Sequence, residues 1–134
     1  MNHRFLSIIV SYPSPTVCHL LEHALQSDGH QVHCFLDPIA SLHALLRTGT
    51  VPLPDLLFLS LKSTSQLTGY EALRLLRTHR PQLPVVVICS PDDTLLRLNA
   101  EEAGASLFLD EPLHIQSVVA LVQRIATQPH PSLK

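Results

Sequence analysis

The sequence is short of most residues that carry chemistry. Its 134 residues include no tryptophan, two tyrosines and four glycines, and 15% are charged. The glycines build no phosphate-cradling loop, since Gly69 and Gly104 stand where one helix begins and another stops. A formal charge of −2 without a basic run excludes the electrostatic footprint of a nucleic-acid binder. Prolines and polar residues interrupt every apolar stretch before it reaches membrane-spanning length. Met-Asn-His-Arg at the start runs straight into a strand-like segment and lacks a signal peptide's architecture. Three cysteines (Cys18, Cys34 and Cys89) are odd in number, widely spaced and without a CxxC pair. That argues against a disulfide framework and fits reduced thiols in the cytoplasm.

What is present is apolar and regular. With 46% hydrophobic residues the chain is long enough to bury one real core. Phe5 to Val10 reads as a strand, and Ser14-Pro15 supplies the cap and first-turn proline of a helix with Val17, Leu20, Leu21, Ala24 and Leu25 in its apolar stripe. Gln31 to Leu36 is a second strand. Asp37-Pro38 starts a second helix carrying Ile39, Leu42, Leu45 and Leu46, which Gly49 ends. Leu56 to Leu61 is apolar on both faces, as a central parallel strand must be. A third helix with Ala72, Leu73 and Leu76 inward follows Gly69, and then come the strand "LPVVVICS", a fourth helix, the strand "SLFL" and a fifth helix over Leu113 to Ile125. This alternation predicts a single-domain, doubly wound (βα)5 flavodoxin-like α/β fold. The expected division is a domain over 1–127 and a polar, proline-rich tail or linker start over 128–134.

In such folds chemistry sits at the carboxyl ends of the strands, here Ser11 to Ser14, Ser60 to Lys62, Cys89 to Pro91 and Asp110 to Pro112. The segments "PDLLFLSL", "GYEALRLLR", "LPVVVICS" and "EEAGASLFLDEPL", with the closing helix, resemble a two-component receiver domain from about Phe5 to Ile125. The resemblance implies a five-stranded parallel sheet in the order 2-1-3-4-5. It also implies a phosphoacceptor aspartate after the third strand, an acidic pair after the first and a lysine before a proline after the fifth. Here those positions fall on Ser60, on Ser11, Tyr12 and Pro13, and on Glu111; Cys89 replaces the hydroxyl residue after the fourth strand. No carboxylate pair is left there to hold a metal, and Ser60 has no adjacent base. Two negative groups about 4 Å apart would repel by roughly 1 to 4 kcal/mol. Glu111 is expected to line an open cleft and to tolerate replacement by lysine.

Other constellations have plainer explanations. His19 and His23, and His30 and His33, are read as solvated surface histidines. Cys89 is read as a small hydrophobe without a cationic neighbour, and Asp92-Asp93 as a helix cap.

The expected function is that of a pseudo-receiver: a phosphorylation-independent signalling domain, not an enzyme, in a two-component or circadian-clock-type pathway. It would need no cofactor, metal or small-molecule substrate, and would dock to a protein partner or to a second copy. It suits the N-terminal regulatory domain of an atypical response regulator. The alternative is a small-ligand- or flavin-binding flavodoxin-like domain, against which the scarce aromatics and the two prolines of "SYPSPT" argue. Phe108 occupies the position of the aromatic that receivers rotate on activation. Arg97 on the fourth helix and Ile115 and Val119 on the fifth are the expected contact residues, with Ile115, Val119 and Leu121 partly exposed.

Overall fold

The computed structural model describes residues 4–46, 54–61 and 69–127. The expected helix stop at Gly49, Lys62 and the tail 128–134 lie outside them, as do the side chains of Ile39 and Leu46. The element order is β1 (Ser7–Ser11), α1 (Pro15–Ser27), β2 (Gln31–Phe35), α2 (Pro38–Leu46), β3 (Leu56–Ser60), α3 (Gly69–His79), β4 (Val85–Cys89), α4 (Thr94–Glu102), β5 (Leu107–Asp110) and α5 (Ile115–Ala126). All strand pairs are parallel, as the alternation predicts, and the order β2-β1-β3-β4-β5 is the one the resemblance implies. No helix among the described residues is long and apolar enough to cross a membrane.

The apolar core divides into two layers because strand side chains alternate between faces. Ile8, Val10, Phe58 and Ile88 pack beneath α1 and α5. Ile9, Leu57, Leu59 and Val87 pack on the other face, beneath α2, α3 and α4. The central strands β3 and β4 are buried along their whole length. At roughly 25 cal/mol per Å² of apolar surface, these doubly covered strands are the main source of stability.

Three expectations need correction. Phe5 lies before β1 rather than in it and is 71% exposed, its ring edge-on to His30. Leu20 points outward at 49% exposure; the buried stripe of α1 is Cys18, Leu21 and Leu25. At 100° per residue the helix face centred on Leu21 takes in the cysteine three residues earlier rather than its own neighbour. Leu121 is fully packed in the α1–α5 layer, while Ile115 and Val119 are half-buried against the same layer.

Candidate functional site

Three of the four ladders continue one residue past their strands. The Tyr12 N–H donates to the Phe35 carbonyl at 3.0 Å, the Leu61 N–H to Ile88 at 3.1 Å and the Glu111 N–H to Cys89 at 3.0 Å. These bonds place Tyr12, Leu61 and Glu111 on one rim at the carboxyl edge of the sheet. Ser14 Oγ accepts the Val17 N–H at 3.3 Å, and Pro15 opens α1, so the short loop carrying Tyr12 and Pro13 is fixed at both ends.

Across this rim the Tyr12 hydroxyl donates to Glu111 Oε2 at 2.7 Å. Burial and, next, the bond to the Glu111 carboxylate push the Tyr12 pKa up to about 12. Glu111 Oε1 is also enclosed by protein. The expectation of an open cleft around Glu111 is therefore wrong, because an aromatic ring occupies a position that resembles an acidic one in sequence order. At the strand ends, Ser11 and Ser60 are each 1% exposed and Cys89 is 2% exposed. By strand alternation Ser11 shares the face of Ile9, and Ser60 that of Phe58.

A second cluster lies where α4 meets β5. Arg97 pairs with Asp110 at 2.6 Å, its guanidinium carbon lies 4.8 Å from the centre of the Phe108 ring, and its Nη1 is 3.8 Å from Cys89 Sγ. Cys89 thus has the cationic neighbour that sequence reading denied it. Burial nonetheless outweighs Arg97 and raises the thiol's pKa, so the residue still behaves as a small buried group. Asp93 caps α4 by accepting the Leu96 N–H at 3.3 Å, as expected. Arg97 and Phe108 pack on the α2–α4 side, whereas Ile115 and Val119 pack on the α1–α5 side.

His19 and His23 are exposed, but His30 is not a surface residue. It is 3% exposed and its Nδ1 accepts the Leu6 N–H at 3.0 Å. The chain before β1 descends onto it, an event that a turn position cannot reveal. Among the described residues no group of three or more His, Cys, Asp or Glu could hold a metal ion.

Sequence reasoning missed the pairing of Tyr12 with Glu111, which lie 99 residues apart, and that of Arg97 with Asp110. It also missed Arg77, which donates from Nε and Nη2 to the Gly104 carbonyl (2.8 and 2.6 Å) and from Nη1 to that of Leu83 at 2.5 Å. The one available signal was topological, since strand order brings the β1 and β5 rims around β3.

A family profile described as the response regulator receiver domain matches residues 9–123. The DNA-binding transcriptional regulator NtrC of Proteus hauseri is 28% identical over 74 residues, spanning 55% of this chain and 15% of that protein. Among solved structures, the receiver domain of NtrX from Brucella abortus superposes with a TM-score of 0.76 at 24% identity, covering 90% of this chain and 99% of that one. The chemotaxis response regulator CheY4 of Vibrio cholerae superposes with a TM-score of 0.78 at 16% identity, over 90% of this chain and 98% of its own. At these identities the structures speak for the fold alone. The profile covers most of the chain, from within β1 to the greater part of α5, and the chain therefore belongs to the response regulator receiver domain family of two-component signalling.

Proposed function

We propose that this receiver domain is a pseudo-receiver that signals by docking to another protein, without taking a phosphoryl group at the end of β3. The observation that carries the reading is the closed rim, in which Ser60 is buried and the Tyr12 hydroxyl engages the Glu111 carboxylate. Phosphoryl transfer needs cations to gather the oxygens and neutralise developing charge. At the receiver's acidic-pair, acceptor, hydroxyl and lysine positions this chain has Ser11, Tyr12 and Pro13, then Ser60, Cys89 and Glu111. An anion entering there would meet a carboxylate and displace a buried aromatic hydroxyl.

Without a phosphoryl group to shift a population between two states, a partner reads one conformation of the domain. The reading places the domain in the cytoplasm, as the regulatory part of a response regulator or as a free-standing adaptor. Its partner is a protein, including a second copy of the chain, met through the face of α4, β5 and α5. Arg97, Ile115 and Val119 are the candidate contacts. The test is an NMR titration with millimolar Mg²⁺ and acetyl phosphate or beryllofluoride. An unchanged spectrum is expected; specific shifts around Ser60, Cys89 and Glu111 would overturn the reading.

A further inference from the structure

We propose that Cys18 and Cys34 form an oxidisable thiol pair, which a peroxide closes into a disulfide tying α1 to β2. The proposal stands apart from the docking reading, since neither needs the other. Cys18 lies in the first turn of α1 and Cys34 near the end of β2, where the helix packs down on the edge of the sheet. The Cys34 thiol donates to the Cys18 carbonyl at 3.4 Å, and the Cys18 thiol donates to the Tyr12 carbonyl at 3.3 Å. The first of these bonds holds the Cys34 sulfur directly against the backbone of Cys18. Proximity makes the pair asymmetric: the neighbouring Cys34 lowers the pKa of Cys18, while the neighbouring Cys18 and burial raise that of Cys34.

Such asymmetry suits a two-step oxidation, because a thiolate attacks and a neighbouring thiol resolves. The Cys18 thiolate attacks the O–O bond of hydrogen peroxide, leaving Cys18 as a sulfenic acid and releasing hydroxide. Cys34 then attacks the Cys18 sulfur, the S–O bond breaks, and the oxygen leaves as water with the proton of Cys34. In sum, two thiols and one peroxide give a disulfide and two waters; the sulfurs are oxidised and the peroxide oxygens reduced. Cys34 is half-buried rather than enclosed, so its side of the pair gives a small oxidant entry. Oxidation also removes the thiol hydrogen that Cys18 gives to the Tyr12 carbonyl, and with it one anchor of the loop that carries Tyr12 to Glu111.

The molecule contains its own control. Cys89 lies on the opposite face of the sheet, and burial raises its thiol's pKa. The full chain would be treated with hydrogen peroxide, unfolded, alkylated and analysed by peptide mass spectrometry. The expected product is a Cys18–Cys34 cross-linked peptide, reversed by dithiothreitol, formed on the order of tenfold faster than any oxidation of Cys89. In the Cys34→Ser variant, Cys18 should stop at the sulfenic acid and be trapped by dimedone. Recovery of both cysteines as alkylated thiols after Cys89 has been oxidised would overturn the proposal. So would oxidation of Cys18 and Cys34 without a bridge within one chain.

Discussion

Tyr12 carries a hydroxyl where burial and a carboxylate both oppose its ionisation. Its pKa in the fold, about 12, lies above the ordinary value of 10, so the neutral form is the one the fold favours. Its contribution to stability is therefore complete below about pH 10 and is lost as the pH rises from about 10 to 12. Alkaline unfolding followed by tyrosinate absorbance should show this loss, and Tyr12→Phe should flatten it. At neutral pH the same substitution removes a charge-assisted bond and is expected to cost about 1 to 2 kcal/mol in chemical denaturation. Glu111→Gln keeps an acceptor and should cost less than Glu111→Lys, which offers Tyr12 none; we expect about 2 kcal/mol for the lysine. A lysine variant as stable as the parent would mean that the rim opens freely in solution. His30→Ala strands the Leu6 N–H inside the protein, and a loss of about 1 to 3 kcal/mol should follow.

Elements are joined by two arginines that differ in what surrounds them. Arg77 on α3 reaches the carbonyls of Gly104, after α4, and Leu83, before β4, so one side chain fastens three segments. Gly104 has φ +107°, and a Cβ there would lie 2.5 Å from Arg77 Nε. The helix stop and the arginine thus depend on each other, because only glycine leaves room at that backbone angle. Arg77→Lys cannot span both carbonyls with a planar fork and is expected to lower stability by about 2 to 3 kcal/mol, read from the denaturation midpoint. Arg97, by contrast, meets an exposed Asp110 and a half-buried Phe108 ring at the surface, so Arg97→Ala should cost about 1 kcal/mol or less. A loss above about 3 kcal/mol would show that the α4–β5 contact braces the core. Val119 packs half-buried on the α1–α5 layer, and Val119→Glu should lower the melting temperature as well as any docking affinity. Binding assays on that variant therefore need a stability control.

For the whole molecule, the proposed function predicts indifference to the signals other receivers answer. Ser60→Asp alone should not confer phosphorylation by acetyl phosphate, checked by intact mass, because the rim would still lack the carboxylates that hold a metal. A phosphorylated product would show that the remaining side chains suffice. A partner's affinity should likewise be unchanged by Ser60→Ala, whose hydroxyl is buried out of any partner's reach.

The alternation of strands and helices, the doubly buried character of the central strands and the caps at Ser14 and Asp93 were legible in the sequence, and the resemblance to receivers supplied the strand order. The alternation, the buried strands and the caps depend on periodicity and on neighbours along the chain, which the sequence states directly. The positions of Ser60, Cys89 and Glu111 at the strand ends were legible for the same reason. The chemistry of the rim was not. Tyr12 meets Glu111 because β1 and β5 flank the centre of one sheet, and Cys18 meets Cys34 because the first turn of α1 settles over the end of β2. Burial of His30 and exposure of Leu20 likewise turn on how the chain start and α1 settle against the sheet. A hydrogen bond between side chains far apart in sequence has no periodic trace, so only the folded arrangement of the sheet decided which polar groups would meet.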